Sequence, residues 1–361
     1  MNKELIPVSI GLLYDGMVVP NDIYDADSKL LLIQAGETLR ISQIDVIRRY
    51  NKDRDIILIS PETHKLLMGK KSPGENPYQT KLENETGYSD LKNETLTIIN
   101  EIGQTKTPPQ DKINTISRDL SDHVEKTKPD LILDIINALA PVDEYLQRHC
   151  TNVSLLNGLI GKWLGLPRET VDMLVQVGLV HDCGKISIPP QILNAPRKLS
   201  AVEFEVIKMH PVYSYEILSE FPDTIRYGAR GHHEKFANRG YPDGFSGNKI
   251  PLAAQITAVS DIYDAMVSQR AYKAPRNPFN IIAWIKTLRG TDLEPSIVNT
   301  FTENMPKEMV NKPVLLSNGE SGVIHELDYD DLEYPFIRIG EKVFKSSKNL
   351  FCTQMSLEGN I

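Results

Sequence analysis

The chain has 361 residues, of which 40% are hydrophobic and 24% are charged, and its formal net charge is −8. This length and composition predict a globular protein of two or three domains. The acidic balance argues against a protein that binds nucleic-acid polymers or anionic membranes through a general basic surface. No stretch reaches the roughly 18 apolar residues that span a bilayer, and the first residues lack a signal peptide, so we expect a cytoplasmic protein.

Residues 1–60 predict a small α/β or β-rich module. Apolar runs at 16–20 and 29–33 and a third at 56–59 have the length of strands, and isoleucines spaced three apart over 41–47 indicate a helix between them. No residues in this stretch have catalytic spacing. The module is therefore predicted to serve regulation or docking.

Residues 61–128 are more polar and predict a linker followed by an amphipathic helical relay. Two narrow apolar stripes, Leu91–Ile102 and Ile113–Val124, are interrupted by Pro108-Pro109. Such stripes suit a relay hairpin or the seam of a homodimer. Helices that pack on their own domain explain them at least as well, and the sequence leaves both alternatives open.

Residues 129–312 have an almost entirely helical pattern. Pro129 and Pro167 are well placed for helix starts, and Ser200 with Glu203 has the spacing of a capping box. We expect this region to form one helical domain.

Residues 313–361 predict a β-rich extension. Asn318-Gly319 stands between two apolar runs, which is a strong signal for a β-hairpin. The runs 336–339 and 343–344 predict further strands.

Histidine and aspartate side chains recur on inward faces of the helical region. His181 and Asp182 end the apolar run 173–180, where an imidazole and a carboxylate can bind one divalent ion and the second carboxylate oxygen can bridge to another. Asp261 lies in mid-helix, where an unpaired carboxylate would be costly. The candidate ligands are His149, His181, Asp182, His210, His232, His233 and Asp261. Each histidine alone is more often a core residue, but seven such residues together indicate a metal site.

Two metal ions fit this set better than one. The hypothesis assigns His149, His181, Asp182 and Asp261 to the first ion, and His210, His232 and His233 to the second, with Asp182 bridging. Imidazoles and carboxylates without a thiolate favour iron, manganese or zinc over magnesium or calcium, and the sequence does not decide among these three. The three cysteines are widely spaced and predict neither a disulfide framework nor a cysteine-based zinc site.

Residues 141–300 resemble the HD-GYP family, the helical HD-superfamily branch of cyclic di-GMP phosphodiesterases. The motifs that carry the resemblance are His181-Asp182-Cys183-Gly184-Lys185, His232-His233-Glu234-Lys235, Gly240-Tyr241-Pro242-Asp243-Gly244, Asp261-Ile262-Tyr263-Asp264 and Arg270-Ala271-Tyr272-Lys273. The segments at both ends of the chain are similar to an N-terminal module and a β-rich tail of some members. The resemblance implies a mainly α protein in which residues 129–312 form the catalytic domain, an all-helical HD-superfamily metal-hydrolase domain.

The resemblance also implies roles for individual residues. The seven candidate ligands would hold two divalent transition-metal ions, iron or alternatively manganese. Lys185, Arg270 and Lys273 would contact the substrate phosphates, and Asp182 and Lys185 would be the catalytic residues. The loop Gly240-Tyr241-Pro242 would border the site, contact substrate and dock signalling proteins. Asp264 would orient a ligand or Lys185, although an ordinary surface acid is the alternative.

Three departures from the family pattern bear on these expectations. Tyr145 stands where some members have a glutamate for a third metal, so we expect two ions. Ala237-Asn238-Arg239 replaces the usual Asp-Gly-x before Gly240, which alters substrate fit or the docking surface without touching a ligand. Cys183 replaces the usual aliphatic residue and is expected to pack.

The predicted function is hydrolysis of cyclic di-GMP to linear pGpG, with GMP as a further product left open. A pair of divalent ions lowers the pKa of a water and aligns it for in-line attack on phosphorus, and nearby cationic side chains stabilise the charge that develops. Two alternatives stay open: a weakly active or inactive module that binds cyclic dinucleotides in signalling, and a hydrolase of another cyclic dinucleotide. The intact ligand set favours the enzyme.

Overall fold

A computed structural model describes the residues 6–9, 19, 21–25, 31–39, 56–59, 83, 86–137, 145–193, 195, 197, 199–267, 277–318 and 320–355. Contacts divide the chain into two compact units. The first comprises 1–77, 139–143 and 269–275, and the second comprises 78–138, 144–268 and 276–361. Among the described residues, no helix has the length and apolar character needed to cross a membrane.

The first unit contains a four-stranded antiparallel sheet. Its strands are β1 (Ile6–Ser9), β2 (Ile23–Asp25), β3 (Leu31–Ile33) and β4 (Ile56–Ile59), in the spatial order β1-β4-β2-β3. The strand predicted at 56–59 is therefore confirmed, and the strand predicted at 29–33 is confirmed over its described part, 31–33. The run 16–20, apart from buried Val19, and the helix predicted over 41–47 lie outside the described residues.

The second unit begins with two amphipathic helices. Helix α1 (Tyr88–Thr105) and helix α2 (Gln110–Lys126) are separated by the two prolines that were predicted to interrupt the stripes. Ile98 and Ile102 of α1 and Leu120 of α2 are almost completely buried within one core that also includes the helices that follow. The apolar stripes of α1 and α2 therefore pack on their own domain, which was the second of the two alternatives.

Helices make up most of the second unit. They are α3 (Pro129–Asn137), α4 (Tyr145–Trp163), α5 (Arg168–Val180), α6 (Pro190–Leu193), α7 (Ala201–Ile207), α8 (His210–Ile217), α9 (Asp223–Gly231), α10 (Leu252–Val267), α11 (Pro278–Thr287) and α12 (Pro295–Asn304), with 3₁₀ turns at Cys183–Ser187, Gly247–Lys249 and Lys307–Met309. Pro129 begins α3, Pro167 caps α5, and the Ser200 side chain and Glu203 form the predicted capping box before α7.

A five-stranded antiparallel sheet follows the helices. Its strands are β5 (Pro313–Leu316), β6 (Ser321–Glu326), β7 (Phe336–Ile339), β8 (Lys342–Lys345) and β9 (Cys352–Met355), in the order β8-β7-β6-β5-β9. The predicted hairpin joins β5 to β6. Val314, Ile324 and Ile337 of the sheet are fully buried in the same core as the helices. Sheet and helices therefore stabilise one another through shared apolar burial.

Candidate metal centre

Five segments of the second unit bring the predicted ligands together. His149 lies on α4, His181-Asp182 follows α5, His210 begins α8, His232-His233 follows α9, and Asp261 lies on α10. Of the candidate ligands, Asp182 and every histidine except His233 are at most 2% exposed. Because these segments are far apart in the chain, only the packing of the helices makes them one cluster.

The first group of donor atoms surrounds one oxygen of Asp182. His149 Nε2 and His181 Nε2 each lie 3.4 Å from Asp182 Oδ2, and His149 Nε2 lies 3.1 Å from Asp261 Oδ1. Donor atoms that share one transition-metal ion at about 2.0–2.2 Å lie roughly 3–3.5 Å apart. The spacing of this group therefore fits a common ion.

The second group faces the other oxygen of Asp182. His210 Nε2 lies 3.2 Å from Asp182 Oδ1 and 3.4 Å from His232 Nε2, and His232 Nε2 lies 3.9 Å from Asp182 Oδ1. His233 completes the group, with its ring centroid 4.1 Å from that of His232. The two oxygens of one carboxylate thus point to two different sets of imidazoles.

Hydrogen bonds fix the orientation of four imidazole rings. The Nδ1 atoms of His181, His210 and His232 donate to the carbonyl oxygens three residues earlier, at 2.8, 2.7 and 2.6 Å. His149 Nδ1 is 2.7 Å from Asp264 Oδ2. A carbonyl can only accept, so the proton is on Nδ1 and the lone pair of Nε2 faces the cluster. This is the usual arrangement of metal-binding histidines.

Charge and burial together favour ligands in the metal-binding protonation state. Burial acts to raise the pKa of Asp182, but Lys185 and His181 outweigh it and hold the pKa well below its usual range. The pKa of Asp261 is also lowered against the effect of burial, chiefly by His149. Burial lowers the pKa of His233 to about 3, so this imidazole is neutral at pH 7.

Two glycines permit the close packing on which the cluster depends. A Cβ at Gly178 of α5 would lie 2.6 Å from Ser154 Cα on α4, so this glycine lets α5 approach the helix that bears His149. A Cβ at Gly184 would lie 2.0 Å from the carbonyl oxygen of His210. The glycine of the His-Asp-Cys-Gly-Lys motif is therefore required because α8 passes directly over it.

Lys185 and the loop 240–244 border the cluster. Lys185 Nζ forms an ion pair with Asp182 Oδ2, and its side chain is 20% exposed, so it lies between the ligands and solvent. The ring of Tyr241 stacks on His233 with centroids 4.7 Å apart. Buried Glu234 holds the loop, because its Oε1 accepts from the backbone N–H groups of Asp243 and Gly244 at 2.7 and 3.0 Å.

The donor set fits divalent transition-metal ions. Among the described residues, His181 Nε2 and Asp182 Oδ1 are buried and have no hydrogen-bond partner. Buried polar atoms of native proteins are normally satisfied, and binding to a cation satisfies an imidazole nitrogen and a carboxylate oxygen at once. All three cysteines are free, and none belongs to either of the two groups of donor atoms.

Comparison with known proteins assigns this part of the chain to a family. Residues 134–297 match the family model described as HD domain. This segment is an HD domain. The resemblance inferred from the motifs is thereby confirmed, and an HD domain implies dependence on a divalent metal.

Curated relatives align with the HD domain and its surroundings. The cyclic di-GMP phosphodiesterase response regulator RpfG of Xanthomonas campestris pv. campestris is 35% identical over 182 residues, which are 49% of this chain and 48% of the relative. The 3'3'-cGAMP-specific phosphodiesterase 2 of Vibrio cholerae is 30% identical over 185 residues, which are 50% of this chain and 35% of that one. The chain thus spans about a third to a half of the length of these relatives.

A solved structure shares the fold over a longer stretch. Bd1817, described as a HDG"Y"P protein from Bdellovibrio bacteriovorus, aligns with 84% of this chain and 100% of its own with a TM-score of 0.51 and 14% sequence identity. This likeness concerns the fold alone. It agrees with the mainly helical architecture that the sequence predicted.

Some predicted site residues lie outside the described part of the HD domain. They are Arg270 and Lys273, the predicted phosphate contacts, and the side chain of Tyr145. The departing residues Ala237 to Arg239 are exposed, and the backbone N–H groups of Ala237 and Asn238 donate to the carbonyl of Thr291 at 2.7 and 3.2 Å. They contact none of the ligands through these bonds.

Sequence reasoning missed three residues that support the ligands of the HD domain. Glu234 holds the loop 240–244, and Asn152 donates to Asp264 Oδ1 at 2.7 Å while it accepts from Tyr88 at 2.7 Å. Asn152 follows His149 by three residues, a spacing that places both on one helix face and was a usable signal. Nothing in the sequence pairs Tyr88 with a residue 64 positions away.

Proposed function

We propose that this protein is a metal-dependent cyclic di-GMP phosphodiesterase that hydrolyses the 3'–5' phosphodiester to linear pGpG. One observation carries the proposal: the two oxygens of Asp182 face separate groups of buried imidazoles, each spaced for a common ion. Divalent ions in pairs are the usual device for hydrolysing phosphodiesters. The match to the HD domain and the names of its relatives support the same reaction class.

The proposed ligands divide between two ions. His149, His181, Asp182 and Asp261 would hold the first, and His210, His232 and His233 the second, with Asp182 shared. Imidazoles with carboxylates favour iron, and manganese is the alternative. We propose two ions and not three because Tyr145 stands where some family members have a third-metal glutamate.

The protein's own side chains supply the remaining chemistry. Bound divalent ions would provide a water of lowered pKa and stabilise charge on the phosphoryl oxygens. Lys185 adds a positive charge at the partly exposed edge of the cluster, where a phosphate enters. Arg270 and Lys273 are proposed to contact the same phosphates. Asp264, which accepts from His149 Nδ1, is proposed to orient that ligand.

The substrate is proposed from the relatives. Similarity to RpfG, named a cyclic di-GMP phosphodiesterase, favours cyclic di-GMP. A relative named as specific for 3'3'-cGAMP makes that hybrid dinucleotide the second candidate. Tyr241 borders the cluster, and the loop 240–242 is proposed to contact the substrate and to dock signalling proteins. A homodimer stays a prediction, and the stripes of α1 and α2 no longer support it because they are buried in the core of their own domain.

Turnover by the purified full chain tests the proposal. Metal-free protein is loaded anaerobically with Fe²⁺ or Mn²⁺ and given cyclic di-GMP or 3'3'-cGAMP, with products separated by chromatography. We expect two ions per chain and formation of pGpG, and the time course shows whether GMP follows. Loss of a group that only hydrogen-bonds a metal ligand lowers activity by roughly 10–100-fold. His181→Ala and His210→Ala each remove a proposed ligand itself, so each should lower turnover by more than that.

His325→Ala is the matched control, because His325 is exposed on β6 and belongs to neither donor group. It should leave turnover unchanged. Metal-loaded protein that forms no product from either dinucleotide would overturn the proposal. If this inactive protein still binds cyclic di-GMP, the alternative hypothesis of a signalling module that binds cyclic dinucleotides without hydrolysing them replaces the enzyme hypothesis.

A further inference from the structure

A buried chain of hydrogen bonds leads from helix α1 to the first metal ligand. The Tyr88 hydroxyl donates to Asn152 Oδ1 at 2.7 Å, and Asn152 Nδ2 donates to Asp264 Oδ1 at 2.7 Å. The other oxygen of Asp264 lies 2.7 Å from His149 Nδ1. All four side chains are at most 1% exposed. Tyr88 lies 46 residues before the segment that matches the HD domain, which begins at residue 134.

The direction of these hydrogen bonds makes the chain specific. The phenol donates its only proton to Asn152 Oδ1, which turns the amide so that its N–H groups face Asp264. A reversed amide would set its oxygen against the carboxylate, which is repulsive. With one carboxylate oxygen held by the amide, the other accepts from His149 Nδ1 and keeps Nε2 directed at Asp182 and Asp261.

Other contacts hold α1 against the helix that carries His149. Arg148, the neighbour of His149, pairs at 2.8 Å with buried Glu83, which precedes α1, and its guanidinium lies 5.5 Å from the centre of the Tyr88 ring at the start of α1. One turn further along, the Thr151 hydroxyl donates to Thr95 at 3.1 Å. The α1–α4 interface therefore lies directly behind the ligand, and buried polar contacts make its register well defined.

We propose that Tyr88 and Asn152 are positioning residues of the metal centre, so that α1 is a working part of the site. The inference rests on the proposed function in taking His149 as a ligand. Loss of the Tyr88 hydroxyl leaves Asn152 Oδ1 without its donor, so the amide is held less firmly against Asp264, and Asp264 in turn holds the His149 ring less firmly. The first ion should bind more weakly, while the second group, which does not contact this chain, keeps its affinity.

A titration of metal-free full-length protein with Mn²⁺, resolved into two dissociation constants, tests the inference. Tyr88→Phe removes only the hydroxyl, and it should weaken the first site by about two- to ten-fold, the effect of one hydrogen bond. Asn152→Leu breaks both of its bonds and should weaken that site by roughly 10–100-fold. In the double variant Tyr88→Phe should add nothing further, because both changes break one chain.

Tyr263→Phe is the matched control. Tyr263 is also fully buried and its hydroxyl also donates to an asparagine Oδ1 at 2.7 Å, but that residue is Asn137, which has no contact with a ligand in the described structure. A merely structural role of Tyr88 predicts that both phenylalanine variants lose similar thermal stability and retain both manganese affinities. That result, or additive effects in the double variant, would overturn the inference.

The test separates the inference from the proposed function. If the protein binds two ions and the variants weaken only the first site, but no dinucleotide is hydrolysed, the inference stands and the proposed function is wrong. If the protein hydrolyses cyclic di-GMP and Tyr88→Phe leaves both Mn²⁺ affinities unchanged, the proposed function stands and the inference is wrong. Wild-type protein that takes up no Mn²⁺ would exclude His149 as a ligand and so refute the inference directly.

Discussion

Gly184→Ala is the most direct test of how the motif and the fold depend on each other. An added Cβ would lie 2.0 Å from the carbonyl oxygen of His210 and 2.4 Å from the backbone nitrogen of Ser214. Both atoms belong to the backbone of α8, so no side-chain rotation relieves the clash. Carbon and oxygen atoms pack no closer than about 3 Å, and α8 must therefore move by about 1 Å.

This movement should cost both stability and metal affinity. Overpacking that shifts backbone costs about 3 kcal/mol, and it also breaks the 2.9 Å hydrogen bond from Gly184 N–H to Ser214 Oγ. His210 begins α8 and lies 3.2 Å from Asp182 Oδ1, so the same movement separates two candidate ligands. We expect the urea midpoint to fall and the second Mn²⁺ to bind at least about tenfold more weakly.

Gly103→Ala on α1 is the control. Nothing lies within 4 Å of its added Cβ, so alanine in this helix should stabilise the protein by about 0.5–1 kcal/mol and leave both manganese affinities unchanged. The measurements are urea unfolding followed by circular dichroism and a manganese titration. If Gly184→Ala unfolds within about 0.5 kcal/mol of wild type and retains both ions, the argument from close packing is wrong.

Two further predictions concern the core and the buried imidazoles. Ending the chain at residue 312 removes the buried side chains of Val314, Leu316, Ile324 and Ile337, whose burial stabilises the folded state by about 6–12 kcal/mol. The remaining helices should therefore lose their cooperative unfolding transition. A sharp transition in the shortened chain would contradict the shared core. Because the pKa of His233 is lowered in the folded state, below pH 6.5 the unfolded chain binds more protons at this residue than the folded chain does. The contribution of His233 to the free energy of unfolding is therefore fully present above pH 6.5 and is lost as the pH falls towards about 3. The free energy of unfolding of the metal-free protein should fall by about 1 kcal/mol between pH 7.5 and pH 5.5 because of this group, and that of His233→Asn should fall by less. Equal urea midpoints of the metal-free protein at the two pH values would refute the lowered pKa.

Local sequence signals predicted much of the secondary structure. The prolines that begin or cap α3 and α5, the Ser200–Glu203 capping box and the Asn-Gly hairpin each act over a few residues, so they can be interpreted without knowing the fold. The apolar stripes of α1 and α2 also predicted helices. Their partner was left open, because a stripe shows that a face is buried and does not show what covers it.

The side chains of the cluster could be predicted from the sequence, since polar residues on apolar faces and the motifs around them identified the seven candidate ligands. Their arrangement could not be predicted in this way and depends on how the helices pack. Asp182 presents one oxygen to His181 and the other to His210 because α8 packs directly on Gly184, in the 3₁₀ turn that follows α5. Asp264 supports His149 through a chain of hydrogen bonds that begins at Tyr88. Distances between residues remote in the chain depend on the packing of whole helices, which no local pattern specifies.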